Sequence, residues 1–392
     1  MGHGRRYPEL HREVSKPLTY EIVRYEPALK EQVAELQRHL WGHDIALNRA
    51  YLDWKYEQNP YIADPLIWLA VSSGRVVGMR GLFGSRWEIG TLSEPVLVPC
   101  ADDFVIAPRH RNRGLVAQIM SGTLDQLASH GYRCAFSLSA GAVTRIASLA
   151  SGWRGAGSMR EAQRKTEGLL HRLPAGLRKV PILWRYAEVV GRFQHRLARP
   201  LFRGLDRQPQ ESRASRGAAV RVERTPRVEA MAELVRRLGH DGRIRHVRDE
   251  RYLGWRYRNP LHEYRFLYRE RDRLEGYLVL QADRRDPWRG VNVVDWEATT
   301  PEIREELLLA AVARGGFSRL TLWTATLPGD MLPVISRAGF LPVASGSRAS
   351  SSPTILVWDA RRQTPAQDIV LGGRRLLDPA SWDMRMVYSM AG

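Results

Sequence analysis

The chain has 392 residues, 44% of them hydrophobic and 26% charged, and its 60 Lys/Arg against 42 Asp/Glu give a formal net charge of +18. That length suits two or three ordinary domains, and the composition is that of a globular chain, neither disordered nor fibrous. Two cysteines, Cys100 and Cys134, are too few for a disulfide framework or a thiolate metal site, and no apolar run approaches the roughly 18–20 residues that span a bilayer.

Residues 1–17, MGHGRRYPELHREVSKP, contain no apolar h-region and read as a polar tail. The first patterned segment, YLDWKYEQNP (51–60), leads into LIWLAV, the turn SSGR and VVGMRGLFG, which predicts a β-hairpin. Next, Cys100–Ile106 reads as a buried strand ended by Pro108. Leu115, Val116, Ile119, Met120, Leu124 and Leu127 keep helical spacing, and Gly131 sits where a C-cap glycine belongs. Between strand and helix lie Arg109, His110, Arg111, Asn112, Arg113 and Gly114. Unpaired amides, a positive dipole end and arginines at one helix start suit a diphosphate. CAFSLSAGAVTRIASLASGWRGAG then predicts a strand, a short helix and a Gly-aromatic entry to another strand.

From Arg160 to Arg216 there are 14 Lys/Arg against 5 Asp/Glu, half of the net charge. Within it, 169–205 reads as a basic, partly amphipathic helical stretch broken by Pro174 and Pro181, and 207–217 as a linker. Such charge points to an anionic partner: a nucleotide cofactor, an acidic lipid surface or a nucleic acid.

After the linker the chain echoes itself. YLGWRYRNP (252–260) repeats the first segment one residue shorter, and EYRFLYR, ERDR and LEGYLVLQA repeat its hairpin. RLTLWTATLPGDMLPVISRAGFLPV answers the strand, helix and Gly-aromatic series. Matching elements in matching order predict two copies of one α/β domain. The second copy differs at its strand-to-helix junction, VVDWEATTPEIREELLLAAV. There Thr300 is placed to cap, Pro301 removes an amide, and Glu302, Glu305 and Glu306 repel anions.

The order Ile106-Ala107-Pro108-Arg109-His110-Arg111-Asn112-Arg113-Gly114 resembles the acyl-CoA loop of the GNAT superfamily of N-acetyltransferases. Arg111 and Gly114 match its pattern, whereas Val116 replaces the usual second Gly or Ala. Ser-Leu-Ser and SGWRGAG resemble the closing motif. The resemblance implies an α/β (α+β) fold of two tandem GNAT-like domains, each a mixed, largely antiparallel sheet flanked by helices. Their expected bounds are 18–160 and 218–362, joined by a basic helical segment at 161–217 and followed by an extension at 363–392. The double arrangement resembles mycothiol synthase-like and Fem-type transferases.

That resemblance implies a cytoplasmic N-acyltransferase, peripheral to the membrane if 169–205 binds it, with acetyl-CoA or another acyl-CoA as co-substrate. The acceptor would be the primary amine of a small molecule or amino sugar. Phe104, Val105, Ile106, the loop 109–114, Leu115, Val116, Ser139, Thr144 and Arg145 are the expected cofactor contacts. Asp102 or Asp103 is the expected proton acceptor; strand alternation turns only one of them into the cleft, unless a bulge inverts the parity. Ser148, a poor acid, stands where the family often has a leaving-group tyrosine. His43, Asp44, Trp54 and Tyr56 are candidate acceptor contacts, with helix-end and core roles as the alternatives. No residue spacing suggests a metal. The competing readings are an aminoacyl-tRNA-dependent transferase and a non-catalytic protein that binds an acidic or membrane partner.

Overall fold

A computed structural model describes residues 19–165, 219–285, 290–315, 317–343, 353–361 and 367–390. The tail 1–17, the stretch 169–205 and the linker 207–217 fall outside the described residues.

The first half runs β1 (Glu21–Arg24), α1 (Lys30–Trp41), α2 (Ile45–Leu52), β2 (Leu66–Ser72), β3 (Arg75–Glu88), β4 (Val96–Ile106), α3 (Leu115–Ser129), β5 (Cys134–Ala140), α4 (Ala142–Ala150), β6 (Arg154–Ser158) and β7 (Glu161–Lys165). The second runs β8 (Arg221–Glu223), α5 (Val228–Leu238), β9 (Arg245–His246), α6 (Glu250–Arg256), β10 (His262–Glu270), β11 (Leu274–Asp283), β12 (Val291–Ala298), α7 (Pro301–Arg314), β13 (Arg319–Trp323), α8 (Met331–Arg337), β14 (Leu341–Pro342) and β15 (Thr354–Asp359). A small hairpin, β16 (Val370–Leu371) with β17 (Arg374–Arg375), precedes the C-terminal segment.

Both predicted hairpins are present. Ser73 and Gly74 turn the first, at φ of 51° and 74°, a left-handed pair suited to a two-residue β-turn. The strand orders match: β1-β2-β3-β4-β5-β15-β6 in one sheet and β8-β10-β11-β12-β13-β7-β14 in the other. Each is antiparallel except for one central parallel pair, β4 with β5 and β12 with β13.

The halves exchange a strand. β15, with all six residues buried, lies between β5 and β6 of the first sheet. β7 lies between β13 and β14 of the second. The expected bounds 18–160 and 218–362 therefore need correcting: 354–359 completes the first sheet, and 161–165, expected in the linker, completes the second. Local pattern cannot reveal this, because an apolar strand suits either sheet. β9 adds a further tie, pairing with β3 at Trp87↔His246.

The two repeat segments meet at the centre. Trp54 and Trp255 stack at 4.8 Å and 12°, and each indole Nε1 donates to the other's backbone carbonyl, at 2.8 and 2.7 Å. The extra residue of the first repeat is absorbed in a π-helical turn, Asp53–Glu57, directly after α2. One continuous core spans both halves, joining Tyr51, Trp87 and Phe136 to Tyr252, Trp382 and Tyr388. Cys100 and Cys134 are buried, and burial pushes both thiols up to about 12. No helix among the described residues is long and apolar enough to cross a membrane.

Candidate functional site

β4 and β5 touch through one register pair, Cys100↔Phe136, and then diverge as β5 turns to β15. The divergence leaves a V between two parallel strands, with the 107–114 loop and the start of α4 at its open end. Ala107 N–H donates to Val77 O, so Ile106↔Gly78 is a non-hydrogen-bonded pair, and the Ile106 amide faces away from β3 into the V.

The loop has the geometry that anion binding requires. Asn112 and Gly114 have φ of 60° and 74°, and Gly114 starts α3 with no side-chain cap, so its first amides lack side-chain partners. Arg109, Arg111, Asn112 and Arg113 are exposed around it. Arg111 Nε donates to Ile106 O at 3.1 Å, which ties the loop to the strand end. His110 Nδ1 and Tyr20 OH are 3.2 Å apart. Leu115 is buried and Val116 half-buried on the α3 face that packs against Ala70 and Ile106. In the second half, Thr300 Oγ1 accepts from Ile303 N at 3.3 Å and Pro301 occupies the first helical position. That helix start is already capped.

Strand alternation fails at the two aspartates. The β3–β4 register passes from Arg80↔Phe104 to Leu82↔Ala101, so one extra residue bulges out of β4. Both carboxylates therefore reach one lysine, Lys55, whose Nζ lies 2.5 Å from Asp102 and 2.9 Å from Asp103. Lys55 also donates to Tyr51 OH at 3.2 Å, and the rings of Trp41, Tyr51, Tyr56 and Phe83 surround its ammonium at 5.0–5.8 Å. Burial works against its charge, but the two carboxylates hold Lys55 well above the ordinary lysine value.

The aspartates differ in surroundings. Asp103 is fully buried, accepts from Gln37 Nε2 at 3.2 Å, and burial raises its carboxyl although Lys55 opposes this. Asp102 keeps 9% side-chain exposure and accepts from Ser139 Oγ at 2.6 Å across the V. Arg80 lies alongside, donating to Asp102 O at 3.1 Å beneath the Phe104 ring, and burial pulls its guanidinium down to about 10.

The other expected residues fall in several places. Ser139 sits at the aspartates; Thr144 and Arg145 lie on the first turns of α4, past the end of β5. Ser148 is buried in α4 and its hydroxyl has no hydrogen-bond partner, so it does not join the Lys55 group. Asp44 caps α2 by accepting from Leu47 N at 3.0 Å, and His43 is exposed beside it. Trp54 is spent on the joint with Trp255. Tyr56 is buried, its hydroxyl seated where a Cβ on Gly81 would be, at 2.2 Å. Lys55, Gln37, Tyr51 and Arg80 were missed as site residues. The signal for Lys55 was present in the repeat, where Lys55 answers Arg256, a basic residue inside an aromatic segment.

The second half keeps the V, because β12 and β13 pair only at Val291↔Leu320 and Asn292↔Thr321. Here the C-terminal segment enters it. Arg385 donates to Trp296 O and pairs with Glu297 at 2.9 Å, and Thr326 Oγ1 exchanges bonds with the Met384 backbone. Arg256 and Tyr252 both donate to Val387 O, each at 2.8 Å. Among the described residues no His/Cys/Asp/Glu cluster is arranged to hold a metal.

No protein-family profile and no curated protein matches the chain. Among solved structures it is similar to a GCN5-related N-acetyltransferase from Anabaena variabilis ATCC 29413, at 11% identity and a TM-score of 0.53, over 87% of this chain and 73% of that one. It is also similar to a conserved protein of unknown function from Enterococcus faecalis V583, described as a probable N-acyltransferase. There the identity is 10% and the TM-score 0.57, over 88% of this chain and 74% of that one. The fold is that of the GCN5-related N-acetyltransferases, carried by two mixed sheets in tandem.

Proposed function

We propose that the first half is an acyl-CoA-dependent N-acyltransferase site, most simply an N-acetyltransferase, acting on a primary amine of a small molecule or amino sugar. The observation that carries this reading is the uncapped, left-handed start of α3 at the open end of the β4–β5 V, ringed by arginines. The amides at 115–117 with Arg109, Arg111 and Arg113 would hold the diphosphate, while Thr144 and Arg145 flank the pantetheine arm. The Ile106 amide would polarise the thioester carbonyl.

The thioester supplies an activated acyl carbon. As the amine attacks, a C–N bond forms, the C–S bond breaks, and the amine must lose a proton. Asp102 is our choice of acceptor for that proton, because it is the aspartate with a face on the V; Asp103 and Lys55 position it. Ser148 has no assigned part, so the sulfur departs as a thiolate.

The test is calorimetric titration with acetyl-CoA. In Gly114→Asp a Cβ meets nothing within 4 Å, so the fold bears only the left-handed penalty of about 1–2 kcal/mol. The carboxylate would then occupy the diphosphate position. Binding by the parent and none by the variant is expected; equal affinity would remove the basis of the reading. Free-thiol release across a panel of amines then identifies the acceptor.

A further inference from the structure

We infer that the second half carries a separate binding site for a small organic monocarboxylate, its anionic head on Arg304. A cavity of about 260 Å³ lies in the β12–β13 V, beside the inserted C-terminal segment. Its charged lining is Asp241, Asp295, Glu297 and Asp383 against Arg243, Arg245, Arg304 and Arg385, four of each sign.

The acids are already satisfied. Asp295 pairs with Arg248 at 2.8 Å, Glu297 with Arg248 at 2.5 Å and Arg385 at 2.9 Å, Asp383 with Arg385 at 3.3 Å, and Asp241 with Arg243 at 2.6 Å. Arg304 is not satisfied. Among the described residues it has one ion pair, to Glu297 at 3.6 Å, which is too long for a hydrogen bond. Its Nε is buried without a partner, and so are Arg385 Nε and the indole Nε1 of Trp296, a residue only 5% exposed. Burial lowers the Arg304 guanidinium, whereas Arg385 beside it is raised by its carboxylates. The buried side-chain atoms of this lining that lack a partner are all donors, two of them on guanidinium groups, so the partner they fit is an acceptor with negative charge.

The same residues restrict that partner. The lining is electrically balanced, and Glu302, Glu305 and Glu306 sit on the helix that carries Arg304. One negative charge on Arg304 is therefore favourable, and a diphosphate is not. Leu238, Trp323, Leu327, Met384 and Met386 offer an apolar wall, so the carboxylate would carry a hydrocarbon or aromatic body.

The test measures Tm of the full chain with hexanoate, phenylacetate, inorganic phosphate or acetyl-CoA, in the parent and in Arg304→Gln. Removing a poorly paired guanidinium should leave the fold intact, and an unliganded Tm within a few degrees of the parent's checks this. A rise of a few degrees is expected with hexanoate or phenylacetate in the parent alone. No carboxylate shift, an equal shift in both proteins, or a phosphate shift that needs Arg304 would each overturn the proposal. The acetyl-CoA arm reports on the first site, so failure of either reading is seen separately.

Discussion

A lysine ammonium with no exposed surface needs neighbours that replace its water, and Lys55 has two carboxylates, a phenol and four aromatic faces. Lys55→Met should leave two buried carboxylates facing each other and cost about 3–5 kcal/mol in urea unfolding. Adding Asp103→Asn should restore part of that loss; a double variant no better than the single would show that the pair is not the cause. In turnover the aspartates should separate. Asp102→Asn is expected to lose roughly 10²–10⁴ in kcat and keep acetyl-CoA affinity, with Asp103→Asn affecting stability more than kcat. Full activity in Asp102→Asn would end its assignment as base. The aspartate pair was legible in the sequence, but its geometry was not. A one-residue bulge in β4 leaves no mark in the residue pattern, yet it turns both carboxylates onto one cation.

Elements were legible wherever periodicity and punctuation agreed. The run from Leu115 to Ser129 is helical as its apolar spacing requires, and Thr300 and Pro301 start α7 as their chemistry requires. The one-residue difference between the repeats was visible too, but not its outcome as a π-turn that carries Lys55 inward. The contrast between the two helix starts sets a stoichiometry. Titration should find one acetyl-CoA per chain, and Arg111→Glu should eliminate it; two equivalents would refute the division between the halves. The sequence also predicts that the second V does not take CoA, from Thr300, Pro301 and the glutamates beside them. What enters it, the segment around Arg385, gave no signal, because its partners lie 58 to 135 residues upstream.

At the scale of the whole molecule the halves meet around His246, whose ring packs on Tyr252 at 3.9 Å and beside Trp87 and Tyr388. Burial lowers its pKa to about 3, from an ordinary value near 6.5. The folded form therefore stays neutral where the unfolded chain takes up a proton. The stabilisation is complete above pH 6.5 and declines as pH falls toward 3. Between pH 6.5 and 5, before most carboxylates protonate, the loss should be about 2 kcal/mol. His246→Gln should flatten that part of the urea-midpoint profile; an unchanged slope would place the acid sensitivity elsewhere. The strand exchange between the halves was not legible, since TILVWD and EAQRK carry no label for the sheet they complete.

That exchange bears on how the chain is made. β5 and β6 are synthesised early, but the strand that belongs between them, Thr354–Asp359, follows about 200 residues later. At about 5–20 residues per second, a ribosome leaves that gap open for about 10–40 s. During translation the first half therefore waits with two unpaired strand edges, whose natural partner is still to emerge from the exit tunnel. Slowing elongation lengthens that wait, during which a chaperone that recognises extended apolar segments has two edges to cover.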